Sequence, residues 1–535
     1  MQRKIDFLTF FLFLFIISLI YLISFTEVPD FRKPIRFLSI VVFIIGLLVF
    51  FIFKKNLIQV KTTENSNSCY KEIAFAFLAC VIYSIHFFSI HNSHFQSFFL
   101  GDMDYVSMAE VLNSTLKGNF FSTNYHGQTE NSNYLSHHFS PAIILLSPFM
   151  VFSEYRLGYG YSLLFYNLLG VFAISLYLIS RNIRGFQFFF LLCFFMINIY
   201  VYRLFQSYHF EQIFLFFCVL LFWAIQKEKK ILSYFLFLIC IFIKEDISIY
   251  MTLLGIFLLF TKRKKMGTIL IAVSIGYFFY LVPWIQDSID SGAKINWLLD
   301  WSKWGNSISE IAIQILSNPI KVFMLFVQKK SLLFDISLSF SFLFFFYPKI
   351  FLILIPIFIF HFSSDRIWFN DFYNYYSYTI LPFLIYGSVE GFKKIENFQP
   401  SKNLLTLPFL LLFLSLTLFR SSKDQFFPLQ IPKIDYSKFQ SVIEASSIIP
   451  NHSKVNAQFD VSGFVNRKSQ IFPMTMEPKD YLFFNLQNGF SPYKSLEELK
   501  ILKDSLLHSK KFQTIFEKDG IIVIQRVSKH KISKE

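Results

Sequence analysis

The sequence predicts an α-helical polytopic membrane protein that carries a small α/β domain at its C-terminal end. Only 16% of the 535 residues are charged and 54% are hydrophobic, whereas soluble proteins carry about 25% charged residues. Up to residue 420, apolar runs recur that approach the roughly 20 residues needed to span hydrocarbon. Beyond residue 420 the pattern changes to short strand-like and helix-like segments.

Thirteen apolar runs are predicted to cross the bilayer as helices. The first is expected to be retained, because it is longer than the apolar part of a signal peptide and lacks a small-residue cleavage site. Residues 140–152 and 319–327 are too short to cross and are predicted to lie in the interface or to re-enter. The predicted crossings lie near residues 7–25, 36–53, 73–90, 159–180, 186–202, 211–225, 231–243, 247–260, 267–284, 331–347, 349–361, 378–393 and 404–419.

Basic clusters predict the orientation of these crossings. Arg3 and Lys4 place the N-terminus inside, and alternation then brings the clusters at 262–265 and 393–394 to the same face. An odd number of crossings places the C-terminus outside the cytoplasmic membrane. The net charge of +15 is therefore explained by topology, and because no basic recognition motif appears, no nucleic-acid partner is expected.

Three regions are predicted along the chain: an N-terminal helix pair over 1–72, a multi-pass domain over 73–420 with an outer loop at 91–139, and a soluble extracytoplasmic domain over 421–535. The last of these should contain helices near 436–445 and 496–507, and strands near 454–457, 470–472 and 480–485. A hairpin over 512–526 should turn at Asp519-Gly520. The five cysteines show no ligand spacing and are interpreted as small hydrophobic residues.

An acidic pair, Asp102 and Asp104, opens the outer loop. Carboxylates two residues apart can hold a divalent cation such as Mg²⁺ or Mn²⁺, or one of them can deprotonate an acceptor hydroxyl. The structural alternative is an acidic helix start, since aspartate is favoured at that end of a helix.

Lys244, Glu245 and Asp246 interrupt an apolar hairpin that runs from residue 231 to residue 260. Charges near the bilayer cost several kcal/mol unless they are paired or hydrated. The functional interpretation assigns Lys244 to a phosphate and the carboxylates to orienting a substrate, and a hydrated hairpin tip is the alternative. Arg366 is a second candidate for binding an anionic head group.

Ionisable residues from distant loops are predicted to converge on the outer face, which is typical of a functional site. Tryptophans at 297, 301 and 304 have helical spacing and predict a helix in the interface. The Trp and Tyr residues of 368–376 are explained by an aromatic belt. Besides the acidic pair, the predicted substrate-binding set is His138, His209, Glu211, Lys244, Glu245, Asp246 and Arg366.

Over about residues 75–525 these motifs resemble the domain-of-unknown-function 2079 family of predicted prokaryotic membrane proteins. Phe210 stands where that family usually has proline, and Asp104 stands where glycine is common. The matching elements are Asp102 with Gly118, His138-Phe-Ser-Pro141, His209-Phe-Glu211, Lys244-Glu-Asp246, and Ile449-Pro450 through Pro473.

The family is similar in layout to the fold-C (GT-C type) glycosyltransferases, which take sugars from polyprenyl phosphates and use an acidic residue of the first outer loop. The resemblance therefore implies sugar transfer from a polyprenyl-phosphate donor, among membrane lipids, to a glycan, lipid or protein acceptor of the cell envelope. Asp102 would be the general base, with Asp104 beside it. The alternatives are a transporter or flippase of a lipid-linked anion and a non-catalytic envelope assembly scaffold.

Overall fold

The fold is seen in a computed structural model that describes residues 69–100, 103–126, 129–289, 297–370, 372, 374–398, 434–487 and 494–527. Three predicted crossings, near 7–25, 36–53 and 404–419, lie outside the described residues. So does nearly all of the predicted N-terminal helix pair. Asp102 also lies outside them.

Helices account for most of the described chain. The helices are α1 Tyr70–Gln96, α2 Met103–Leu116, α3 Tyr134–His137, α4 Gly158–Ser180, α5 Gly185–Met196, α6 Ile199–Gln206, α7 Ile213–Gln226, α8 Lys230–Ile243, α9 Ile247–Leu259, α10 Lys264–Gly276, α11 Val282–Ser288, α12 Ile308–Ser317, α13 Pro319–Gln328, α14 Lys330–Ser339, α15 Phe351–Phe362, α16 Leu381–Phe398, α17 Tyr436–Ile448, α18 Phe459–Ser462 and α19 Leu496–His508.

Shorter helical turns and strands complete the described secondary structure. A π-helical segment, Tyr277–Leu281, joins α10 to α11. The 3₁₀ segments are Pro141–Phe152, Phe210–Gln212, Trp297–Trp301, Leu343–Phe346, Pro348–Ile350, Ile367–Phe369 and Tyr375–Thr379. The strands are β1 Ser122–Thr123, β2 Ser132–Asn133, β3 Lys454–Ala457, β4 Gln470–Phe472, β5 Tyr481–Asn485, β6 Phe512–Lys518 and β7 Ile521–Arg526.

Among the described residues, three helices are long and apolar enough to cross a membrane: Tyr70–Gln96, Gly158–Ser180 and Lys264–Ser288. Counting each bent pair as one span gives up to five. The pair α5 and α6 bends by 53°, and the pair α12 and α13 bends by 85°. Thirteen crossings are therefore not confirmed. The remaining apolar helices of the described chain, including α8 and α9, are 10–17 residues long.

Two predictions made from apolar and aromatic patterns are wrong. A continuous crossing at 331–347 does not form, because α14 ends at Ser339 and Phe342 adopts a left-handed φ of 55° before the next 3₁₀ turn. The predicted tryptophan helix also does not form over its full length, because a 3₁₀ segment covers only Trp297–Trp301 and Trp304 lies in the turn that follows it. Trp301 and Trp304 are buried. Both indole N–H groups donate within the protein, Trp301 to the carbonyl of Phe360 and Trp304 to that of Ser363.

The described residues form two compact units. The first comprises residues up to 86, 165–283 and 296–430, and the second comprises 87–164, 284–295 and 431–535. The second unit is therefore larger than the C-terminal segment predicted at 421–535, because it includes the predicted outer loop.

Helices α9 and α10 of the first unit pack at very short range. A Cβ added to Gly267 would lie 2.6 Å from the carbonyl oxygen of Gly255, so a larger side chain is excluded at this crossing. Small residues at such crossings allow backbones to approach, which is how helices gain packing energy in a membrane. This packing fixes α9, the helix that begins directly after Asp246, against α10.

The C-terminal elements of the second unit form a five-stranded mixed sheet of order β4-β3-β5-β7-β6. Strand β3 pairs in parallel with β4 and β5, whereas β7 pairs antiparallel with β5 and β6. All five residues of β5 are buried, as expected for a central strand covered on both faces. Asp519 and Gly520 have φ values of 51° and 73°, which fit the predicted tight hairpin turn.

A buried ion pair joins this sheet region to the predicted outer loop within the second unit. The Arg156 side chain is fully buried, and its Nη2 lies 3.0 Å from Oε2 of Glu110 on α2. The same guanidinium donates to the carbonyls of Val465 and Ser469, so it connects three parts of the sequence. Asn113 adds a 2.7 Å bond to the carbonyl of Arg467.

Candidate functional site

Six of the predicted site residues lie in the first unit: His209, Glu211, Lys244, Glu245, Asp246 and Arg366. Asp104 and His138 belong to the second unit. The predicted convergence of all of them, and the catalytic role of Asp102, stay predictions.

Short irregular segments between apolar helices position the central residues. Lys244 ends α8 in an extended conformation, with φ −160° and ψ 148°, and Asp246 immediately precedes α9. Glu211 lies in the 3₁₀ turn before α7, where Phe210 is buried in the position that the family usually gives to proline. The charged side chains therefore come from helix ends and turns, outside the apolar helices themselves.

Lys244 and Glu211 form a buried ion pair. Nζ lies 2.7 Å from Oε1, and the side chains are 6% and 3% exposed. The ammonium also lies 5.8 Å from the ring centroids of both Tyr375 and Tyr376, within the range of a cation–π contact. Lys244 is thus already neutralised by a carboxylate inside the protein.

An aromatic stack lies beside this ion pair. The rings of His209 and Tyr375 are nearly parallel, with centroids 3.6 Å apart, and Tyr376 stacks on Tyr375 at 4.2 Å. Nδ1 of His209 is 3.8 Å from Oε2 of Glu211. The aromatic-belt interpretation of these tyrosines is wrong for Tyr376, because its side chain is buried in the protein.

Asp246 accepts a hydrogen bond from one tyrosine, and a different tyrosine contacts a second, unpredicted histidine, His361. The Tyr378 hydroxyl donates to Oδ2 of Asp246 at 2.5 Å. In the same region, Nε2 of His361 lies 3.1 Å from the Tyr250 hydroxyl, and its Nδ1 lies 2.8 Å from the Phe369 carbonyl. His361 lies inside a strongly apolar run, and that isolation within the run was the available signal for it. We call His209, Glu211, Lys244, Asp246, Tyr375, Tyr376 and Tyr378 the Lys244 cluster.

Burial and neighbouring charges shift the pKa values of Lys244 and Asp246 in the turn. Burial opposes the charged form of Lys244, but Glu211 and Asp246 outweigh it and hold the pKa of Lys244 above its ordinary range. Burial raises the pKa of Asp246 from 3.8 to about 6, although Lys244 acts in the opposite direction. Lys244 therefore stays charged, and the raised pKa of Asp246, about 6, still leaves this carboxyl mainly ionised at pH 7.5.

Arg366 lies at the exposed rim of this cluster. Its side chain is 53% exposed, and Nη1 is 3.4 Å from the Tyr376 hydroxyl. Asp300 is 3.7 Å away, while the neighbouring Asp365 pairs with Lys303 at 2.9 Å. A ligand that arrives from solvent can therefore contact Arg366 directly. Lys244 is buried and is not accessible in this way.

The site residues of the second unit have different surroundings. Asp104 is exposed in the first turn of α2, in agreement with the structural alternative of an acidic helix start. The rings of His126, His137 and His138 form a row, with centroids 4.1 Å and 4.7 Å apart. Burial, with His137 nearby, lowers the pKa of His126 to about 3, so this imidazole is neutral at physiological pH. Among the described residues, no three or more His, Cys, Asp or Glu side chains are arranged so that they could hold a metal ion together.

The family model described as "Predicted membrane protein (DUF2079)" matches residues 94–523, which is well over half of the chain. The chain belongs to the DUF2079 family. It is therefore an integral membrane protein, as predicted, and the match covers most of the region that the sequence motifs indicated. No functionally curated protein matches the sequence.

A solved structure of ArnT from Cupriavidus metallidurans, bound to undecaprenyl phosphate, is similar to this DUF2079 protein. The similarity has a TM-score of 0.46 at 8% sequence identity, and it covers 86% of this chain and 99% of ArnT.

We expect the stability of this DUF2079 protein to fall as the pH rises from about 4 to 6. In that range the folded state holds the Asp246 proton more tightly than the unfolded chain does, because the folded pKa is about 6 against an ordinary 3.8. Asp246→Asn mimics the neutral acid, so it should remove this dependence and raise the free energy of unfolding at pH 7.5 by about 2–3 kcal/mol.

Thermal unfolding of the detergent-solubilised protein at a series of pH values measures this effect. Asp365→Asn is the matched control, since Asp365 is a more exposed carboxylate that pairs with Lys303. Parallel curves for the wild type and Asp246→Asn would contradict the assignment.

Proposed function

We propose that this protein is a membrane glycosyltransferase that moves a sugar from a polyprenyl phosphate to an envelope acceptor on the extracytoplasmic side of the cytoplasmic membrane. The observation that supports this proposal is the buried ion pair of Lys244 and Glu211, enclosed by tyrosines at the ends of apolar helices and bordered by Arg366. Buried charges in a membrane protein are costly and mark functional sites.

The proposed reaction joins the acceptor hydroxyl oxygen to the anomeric carbon of the sugar. The bond between that carbon and the phosphate oxygen breaks, and the lipid phosphate leaves with the electron pair. Asp102 takes the hydroxyl proton, with Asp104 beside it. A divalent cation, if one binds, would be held by these two carboxylates and would supply positive charge there. Cationic groups stabilise the negative charge that develops on the leaving phosphate.

Arg366 is the residue best placed to contact that phosphate. Its guanidinium is half exposed, and a planar fork of donors suits phosphate oxygens. Lys244 contributes positive charge from within the protein but is held by Glu211 at 2.7 Å. His138 is proposed to orient the acceptor.

We expect Arg366→Ala to weaken the binding of undecaprenyl phosphate about tenfold, because a charge-assisted hydrogen bond contributes about 1.5–3 kcal/mol. Purified full-length protein in nanodiscs, titrated with undecaprenyl phosphate, gives the measurement. Lys265→Ala is the matched control, since Lys265 is an exposed cation on the face predicted to be cytoplasmic. Equal affinities of Arg366→Ala and Lys265→Ala would exclude Arg366 from the phosphate site.

The chemical step is tested with Asp102→Asn and, as its control, Asp104→Asn. Membrane vesicles are supplied with undecaprenyl phosphates that carry different hexoses, and sugar transfer to endogenous acceptors is followed. We expect Asp102→Asn to abolish transfer and Asp104→Asn to reduce it less. Lipid movement across sealed vesicles without sugar transfer would favour the transporter, and neither activity would favour the scaffold.

A further inference from the structure

Each carboxylate of the Lys244 cluster uses only one of its two oxygens. Oε1 of Glu211 accepts from Lys244, and Oδ2 of Asp246 accepts from Tyr378. The second oxygens, Oε2 of Glu211 and Oδ1 of Asp246, are buried and have no hydrogen-bond partner among the described residues. The Glu211 residue is only 2% exposed. Such buried acceptors are costly unless a ligand or water supplies donors.

The charge of the Lys244 cluster identifies the ligand chemistry that suits these atoms. One ammonium, that of Lys244, faces the carboxylates of Glu211 and Asp246, and Glu245 adds a further acidic group to the turn. Ionised carboxylates only accept hydrogen bonds. A phosphate carries negative charge and offers acceptors, so it is poorly matched to this place. A neutral group rich in hydroxyl donors is well matched.

The cluster also contains an aromatic stack, and aromatic rings of this kind pack against ring-shaped ligands. His209, Tyr375 and Tyr376 form a continuous aromatic stack next to the ion pair, and pockets for small molecules typically combine such apolar walls with a few fixed polar groups. Tyr376 connects this wall to Arg366 at the rim. Within one unit, a cationic group, Arg366, therefore lies at the exposed edge, and the buried carboxylate acceptors of Glu211 and Asp246 lie in the interior.

We propose that the Lys244 cluster binds the hydroxyl groups of the donor's sugar, while the donor's phosphate stays at Arg366. This inference rests on the proposed function. It adds that the Lys244 cluster recognises the sugar of the donor and Arg366 recognises its phosphate. Oε2 of Glu211 and Oδ1 of Asp246 accept hydrogen bonds from sugar hydroxyls, and Lys244 holds Glu211 in place. Lys244 is on this view a positioning residue.

Asp246→Asn tests the inference without leaving Lys244 unpaired. The amide keeps an oxygen for Tyr378 but replaces the second acceptor with an N–H donor. The full-length protein in nanodiscs is titrated with undecaprenyl phosphate and with its glucosyl, mannosyl and galactosyl esters. We expect the wild type to bind at least one ester tenfold or more tighter than the bare phosphate. Asp246→Asn should reduce that preference to twofold or less, and Asp365→Asn should preserve it.

The remaining outcomes separate this inference from the proposed function. Equal binding of the bare phosphate and every ester by the wild type, with Arg366 still required, would overturn the sugar assignment and leave the transferase proposal standing. A preference that survives in Asp246→Asn would remove Asp246 from the sugar site and overturn the inference. Binding of neither kind of lipid would overturn the proposed function and this inference with it.

Discussion

Lys244→Met is expected to destabilise the protein by about 3–5 kcal/mol, because it leaves Glu211 as an unpaired buried charge. Methionine fills much of the lysine volume, so loss of packing contributes little. The double variant Lys244→Met/Glu211→Leu removes both charges and should recover most of the lost stability, since a buried ion pair is often no more stable than apolar residues of the same volume. The readout is thermal and denaturant-induced unfolding of the solubilised full-length protein.

Lys303→Met is the matched control for this effect. Lys303 pairs with Asp365 at 2.9 Å, but the two side chains are 34% and 43% exposed. Loss of such a pair should cost less than about 1 kcal/mol. Equal losses of stability in Lys244→Met and Lys303→Met, or no recovery in the double variant, would show that Lys244 does not stabilise the buried carboxylate of Glu211.

In the second unit, Arg156→Met is expected to lower the free energy of unfolding by a similar amount, about 3–5 kcal/mol. The substitution strands the Glu110 carboxylate and removes the donors for the carbonyls of Val465 and Ser469. Arg156→Lys should recover only part of the loss, because an ammonium does not reproduce the planar fork of donors. Hydrogen exchange should report the change locally, with faster exchange in Gly463–Ser469 and in α2.

Lys518→Met provides the comparison for the second unit. Lys518 and Glu444 form a pair of 2.9 Å between side chains that are 49% and 50% exposed, so its loss should be nearly neutral. An Arg156→Met protein that unfolds at the wild-type temperature would mean that the sheet region is held by its other contacts alone.

The C-terminal sheet could be predicted from the sequence because its signals are local. Strand residues alternate or form short apolar runs, and the Asp519-Gly520 pair specifies a tight turn, so the predicted hairpin over 512–526 is confirmed. The pairing order of the strands was not predicted, since β3 lies between β4 and β5 through contacts that no local pattern encodes.

The membrane region was predicted less well, because hydropathy measures the length of an apolar run and not its continuity as a helix. Asn198 accepts hydrogen bonds from the backbone at the start of α6 and separates it from α5, and Pro319 begins a new helix at the 85° bend. Asn198 lies inside the predicted crossing 186–202, whereas Pro319 begins the stretch 319–327 that was predicted too short to cross. A count of crossings based on composition therefore overestimates the number of straight spans.

The candidate site was predicted in its residues but not in its pairing. Lys244 was identified as an unusual charge in an apolar hairpin and Glu211 as a substrate-binding candidate, and the structure shows that the two form an ion pair. Tyr378 was missed as the partner of Asp246, since aromatic residues near membrane ends have a simpler explanation. Glu110 and Arg156 gave no signal, because 46 residues separate them and either one is ordinary in a loop or helix.

The reach of Arg156 across the sequence has a consequence for biosynthesis. Its acceptor at Val465 lies 309 residues further along the chain, so the ribosome must complete almost the entire membrane region before this guanidinium can be enclosed. Until then Glu110 and Arg156 remain in a half-built unit that has no sheet to cover them. A nascent chain that stalls before residue 463 therefore lacks the carbonyl acceptors of this guanidinium and leaves the Glu110–Arg156 pair without its cover.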